Sequence, residues 1–162
     1  MYKHFEYTEM LARGLKSIAH TDDDRHYYRA TEETALEELN ANIRSMHGMV
    51  MIAIDGADSN FQFAADSLMA KPIYKIVIVQ QTQSSDTDTI FAAQQASKEA
   101  MMQVIARIGY DASKYQHRCD LIEKNSFRIS GVGPLADKFY GVTLAFSLAE
   151  GVNYKLNPEM WL

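Results

Sequence analysis

Between Ser126 and Leu148 apolar and polar positions alternate more regularly than anywhere else along the chain. Val142, Leu144, Phe146 and Leu148 share one side of a two-residue repeat, and Gly141, Thr143, Ala145 and Ser147 the other, which predicts a half-buried strand. It forms the second arm of a C-terminal β-hairpin, with Gly131-Val132-Gly133-Pro134 shaping the turn before it. Two further segments read as strands. Met49 to Ile54 is apolar on both faces and bounded by Gly48 and Asp55-Gly56, which suits an interior place in a sheet. Ile73 to Gln81 is dominated by β-branched residues and follows a break at Lys71-Pro72. Phe61 and Phe63 mark a brief strand within Ser59 to Ala65, and His26 to Ala30 an extended aromatic segment.

The helical period appears three times. Phe5, Leu11, Leu15 and Ile18 make an amphipathic first helix over about residues 4 to 18, closed by the polar run His20 to Asp24. A second helix starts at Thr31 as N-cap, has acids in its first turn, and buries Leu36, Leu39 and Ile43. The third begins after N-cap candidates Ser85, Asp86 and Asp88. It buries Ile90, Ala93, Ser97, Met101, Val104 and Ile108, and Gly109 is placed to stop it. Asp111 to Asn125 fits either a helical turn or a loop with an extra strand near Arg118 to Ile122. The pattern therefore predicts a single α+β domain over 1–162. Its mainly antiparallel sheet carries two N-terminal helices and one long helix packed on one face, then the C-terminal hairpin, with 151–162 as a tail.

A chain of 162 residues, 47% hydrophobic, supports one core without staples. The net charge of −5 gives no basic field for phosphate, so neither sequence-independent nucleic-acid binding by an isolated subunit nor sequence-specific binding is expected. Cys119 stands alone, which rules out an intrachain disulfide, suits a reducing compartment, and reads as a small buried residue. The first twenty residues lack a signal-peptide core, and the aliphatic runs fall far short of the ~20 residues that span a membrane. A protein made in the cytoplasm, with no membrane partner, is expected.

Chemistry is sparse. Gly131 to Pro134 lacks the third glycine, helix and lysine of a phosphate loop. His117-Arg118-Cys119 offers one ligand pair where zinc needs four ligands. His20, Asp22, Asp23, Asp24 and His26 lack calcium-loop spacing and read as a solvated acidic turn. Glu32-Glu33 and Glu37-Glu38 read as a solvated helix face, and Met101 and Met102 as core. Nucleophile-elbow, redox-pair and zincin motifs are missing. No catalytic, cofactor or metal residue is assigned, and a non-enzymatic protein is expected.

Phe127-Arg128-Ile129, the run Val132-Gly133-Pro134-Leu135-Ala136-Asp137-Lys138-Phe139-Tyr140-Gly141-Val142, and Leu144-Ala145-Phe146 resemble the C-terminal hairpin of virion proteins from phages and prophages of Bacteroidetes-type bacteria. Leu15 to His20 and Tyr27-Tyr28-Arg29 agree with that likeness, and the element order is similar to tail-completion proteins of the tail-terminator or head–tail joining type. About a third of the chain carries it. The resemblance implies a non-enzymatic, ring-shaped homo-oligomer, a hexamer, assembled in the host cytoplasm and located in the virion tail or neck. Its partners are then its own copies, the tail tube protein and the head or neck connector, with no cofactor. Gln80, Gln81, Gln83 and Asp86 in one loop, Val132, Pro134, Asp137 and Lys138 in another, and Tyr154 and Trp161 in the tail are the implied contacts. Other tube, baseplate or injection-machine subunits, and a small α+β ligand-binding module, remain alternatives.

Overall fold

The structure, a computed structural model, describes residues 1–31, 36–83 and 85–162, and the side chains of these apart from 36–38 and 64. Its elements are α1 (His4–Gly14), β1 (Tyr27–Ala30), α2 (Leu36–Ile43), β2 (Met49–Ile54), β3 (Ser59–Ala64), β4 (Ser67–Gln81), α3 (Thr87–Ser113), β5 (Arg128–Leu135), β6 (Phe139–Ser147) and β7 (Glu150–Val152), with short 3-10 turns at Cys119–Leu121, Lys124–Ser126 and Pro158–Met160. The fold is α+β around a seven-stranded sheet of main order β1-β2-β4-β6-β5. Every pairing within it is antiparallel except β1 with β2. No helix among the described residues is long and apolar enough to cross a membrane.

β4 organises the sheet. Its 15 residues run straight through Pro72, where the sequence pattern predicts a break. The first half, to Pro72, pairs with β3 and β7, while the second half pairs with β2 and β6. Pro72 sits at this handover, and its carbonyl accepts the Leu148 N–H at 3.2 Å. A proline lacks only the donor, so a strand tolerates it where one ladder gives way to another. Gly151 and Val152 of strand β7 fall in the segment assigned to the tail.

The helices cover both faces of the sheet, not one. On one face Tyr7 and Leu11 of α1 and Met101, Val104 and Ile108 of α3 pack on Met51, Ile76, Ile78, Leu144 and Phe146. On the other face Leu39 and Ile43 of α2, with Met46, pack on Val50, Ile52, Val77, Val79 and Phe139. The parallel β1–β2 pair accounts for this, because parallel neighbours need a crossover and α2 supplies it. β2 is buried along its whole length, as its apolar pattern predicts. Thr31, the expected N-cap, is exposed in a bend, while the first-turn acids Glu32-Glu33, the buried role of Leu36 and the exposed face at Glu37-Glu38 lie outside the described residues or side chains.

α3 passes through Gly109 to Ser113, beyond the predicted stop. Gly109 has open space around its Cα and ordinary helical geometry, so it costs propensity without forming a C-cap. The segment after α3 contains two 3-10 turns and an isolated bridge between Ile122 and Leu148. Met101 is buried as expected, whereas Met102 is exposed.

Candidate functional site

The hairpin turn is not where the glycines and proline suggest. β5 continues through Gly131 to Pro134 as far as Leu135, and the chain turns at Ala136 and Asp137, with φ of 47° and 64°. Lys138 N–H closes the turn on Leu135 O at 3.2 Å, the arrangement of a type I′ turn. Between Val132 and Leu135 the register shifts, so Gly133 and Pro134 face Tyr140 alone in a β-bulge. Gly133 has φ of 133°, and a Cβ there would stand 2.6 Å from the Tyr140 ring. The glycine–proline pair therefore re-aims an edge strand instead of turning it.

The two loops implicated by resemblance are brought together. Thr82 donates both its N–H and its hydroxyl to Lys138 O, at 2.7 and 3.0 Å. Within this end of the sheet the predicted residues have different roles. Asp86 caps α3 by accepting Thr89 N–H at 2.8 Å. Gln81 is the last residue of β4 and is tied to Gly48: its side chain accepts Gly48 N–H at 3.2 Å and its own N–H reaches Gly48 O at 2.8 Å. Gln80 is partly buried in β4, and Val132 packs beside the second core. Gln83, Pro134 and Asp137 are exposed, and Lys138 lies over the Phe139 ring at 5.6 Å.

The tail stands elsewhere. Tyr154 donates its hydroxyl to Asp66 O at 3.1 Å and meets the Phe63 ring edge-on at 5.9 Å. This anchors it to the β3–β4 tip, the opposite end of β4 from Gln81, roughly 45 Å away at ~3.3 Å per strand residue. The β3–β4 hairpin leaves Phe61 62% and Phe63 70% exposed, and Leu156, Met160 and Trp161 are likewise exposed.

Two open clefts lie on the surface near α1. One, of about 300 Å³, is lined by Met10, Leu11, Leu15, Val104 and Arg107 among others. Its guanidinium is bound to the buried carboxylate of Asp111 by Nε at 2.9 Å to both oxygens. The other, of about 400 Å³, is polar; Arg25 in it donates to Tyr27 O at 3.2 Å, and its other arginines are paired with acids. Arg13 and Arg29 both bind Glu9 and hold its carboxyl below the usual range, and Arg13 also binds Asp22. Cys119 is fully buried, and burial pushes its thiol up to about 11.

One cluster has ligand chemistry that the acidic-turn interpretation misses. Asp24 and His26 meet His47, from the segment before β2, with their ligand atoms within 4.8 Å of one another. His26 is 7% exposed and its Nδ1 faces Met49 O at 3.0 Å, while Nε2 faces Asp24 Oδ2 at 3.1 Å. His20 takes no part, its Nδ1 accepting His26 N–H at 3.1 Å. Nothing in the local spacing flags His47, because only the parallel pairing of β1 with β2 places it beside His26.

No protein-family model matches this chain, and no curated protein matches its sequence.

Proposed function

We propose that this chain is a non-enzymatic structural subunit that completes a phage tail tube and joins it to the head or neck as a ring-shaped homo-oligomer. The observation that carries this reading is the β3–β4 arm, whose Phe61 and Phe63 face solvent beyond the two cores. Apolar rings on a projecting hairpin are costly to leave wet, and a neighbouring copy of the same chain can cover them. The far end of β4 carries a different surface, the polar loops joined through Thr82 and Lys138. A terminator needs this asymmetry, since one face must match the last tube ring while another refuses further growth. In this reading the loops meet the tube protein or connector, the arm and the Tyr154–Trp161 tail meet the next copy, and the acidic balance keeps DNA from adhering.

Light scattering and negative-stain imaging of the purified protein, alone and with isolated tails, test the proposal. Closed rings that cap tail ends are expected. Long tubes grown from the protein alone would favour a tube subunit, and a strict monomer at high concentration would sink the assembly reading.

A further inference from the structure

The His26 ring is enclosed between two acceptors. Its Nδ1 stands 3.0 Å from a backbone carbonyl and its Nε2 3.1 Å from the Asp24 carboxylate, so a neutral ring satisfies only one of them. With Nδ1–H donated to Met49 O, Nε2 presents its lone pair to Asp24, and the contact becomes favourable with a proton or a metal ion between them. A backbone carbonyl that holds one ring nitrogen is also what orients a metal-bound histidine. The second imidazole supplies the independent observation. His47 Nε2 lies 3.7 Å from the other Asp24 oxygen, and the two rings are 5.1 Å apart.

We propose that Asp24, His26 and His47 form a binding site for a divalent transition-metal ion of the zinc type, with a fourth position open to solvent. Two imidazoles and one carboxylate suit zinc and disfavour magnesium and calcium, which take oxygen ligands. Ligand atoms around tetrahedral zinc stand roughly 3.3 Å apart, given bonds of about 2.0–2.1 Å. The separations of 3.1 and 3.7 Å, each to a different Asp24 oxygen, lie on either side of that value, and one ligand atom from each residue falls within 4.8 Å of the others, so the site must contract around an ion. Asp24 and His47 are 56% and 69% exposed at their side chains, so small rotations close the site around the buried His26. Asp24 is already placed by its own turn, its N–H bound to Thr21 Oγ1 at 2.9 Å and its carbonyl to Thr21 N–H at 3.0 Å. A bound ion fastens the start of β1 to the start of β2, beside the Gly48–Gln81 pair. The site does not depend on the assembly proposal.

The test is calorimetric titration of zinc chloride into the untagged, chelator-stripped full chain at pH 7.5. One zinc per chain is expected, with zinc-induced shifts of the His26 and His47 imidazole protons by NMR. His47→Ala and Asp24→Asn, both at exposed side chains, are each expected to weaken binding at least about tenfold. His117→Ala, outside the cluster, leaves it unchanged. Absence of binding at 100 µM protein (about that concentration suffices for a micromolar site) overturns the proposal. So does stoichiometric binding that is insensitive to either substitution or that leaves the two imidazoles unshifted.

Discussion

Tyr7 donates its hydroxyl proton to Asp111 Oδ2 at 2.8 Å, joining α1 to the last turn of α3 across most of the chain. Asp111 is fully buried at a helix C-terminus, where the dipole disfavours negative charge. Arg107 and Tyr7 offset that cost, and both burial and the carboxylate raise the Tyr7 phenol far above its ordinary range. Tyr7→Phe is expected to lower unfolding free energy by about 1–3 kcal/mol, since Asp111 loses a buried donor but keeps Arg107. In an Asp111→Asn background the same change costs less, with a coupling of about 0.5–3 kcal/mol. Urea unfolding of the four proteins measures it, and additive losses would show that the bond contributes nothing beyond its parts.

Cys119 lies in the same region, enclosed and with its thiol raised to about 11. The thiolate is the reactive form, so almost none exists at neutral pH. Native protein is expected to resist iodoacetamide at pH 7.5 and to label fully once unfolded in guanidinium. Rapid labelling under native conditions would contradict the burial.

His4 gives the fold an acid-sensitive point. Its Nε2 bonds Lys75 O at 3.1 Å and its Nδ1 faces the Tyr2 hydroxyl at 3.1 Å, an arrangement that a neutral ring satisfies. Burial lowers its pKa from 6.5 to about 4. Below 6.5 the unfolded chain binds a proton that the folded chain refuses, so stability falls as pH drops from about 6.5 to about 4 and is fully present above that window. The contribution is on the order of 3 kcal/mol. His4→Gln is expected to flatten the stability profile across this window, measured by denaturant midpoints at half-unit steps of pH.

Much of the sheet was legible because its strands bury one or both faces. The alternation at Val142 to Leu148 and the unbroken apolar run at Met49 to Ile54 each state their own environment. The parallel β1–β2 pair and the placement of α2 on the second face were not legible, since they depend on which strand lies beside which. Pro72 and Gly109 misled for a related reason: a breaker acts only where its missing donor or freedom matters. The loops at Gln80–Asp88 and Val132–Lys138 do meet, through Thr82, a residue that no local pattern singles out. His47 was invisible for the same reason, being brought to His26 by strand pairing alone.

Gly141 and Asp137 separate two uses of the hairpin backbone. A Cβ on Gly141 would stand 1.9 Å from Ile78 O, a clash with backbone that cannot yield. Gly141→Ala is therefore expected to cost at least about 3 kcal/mol or to prevent folding, as severe overpacking does. Asp137, exposed at φ 64°, carries left-handed strain without a buried contact. Asp137→Gly is expected to raise stability by up to about 1 kcal/mol, because glycine adopts that conformation freely. Thermal unfolding of both variants shows the opposite signs, and a destabilised Asp137→Gly would mean that its weak 4.0 Å pairing with Arg44 outweighs the strain.

The β3–β4 arm is where stability and assembly come apart. Phe61 and Phe63 lie outside both cores, and Phe63 touches Tyr154 of the tail. Replacing both phenylalanines with serine removes apolar surface that the isolated chain barely buries, so the melting temperature is expected to change little, within roughly ±0.5 kcal/mol of stability. If a second copy covers the arm, the same double substitution shifts the oligomer to monomer at a concentration where the parent chain forms rings. Light scattering reads the mass and calorimetry the melting point. A ring that persists with both rings removed would assign the contact to another surface, while a large loss of stability would make the arm part of the fold itself.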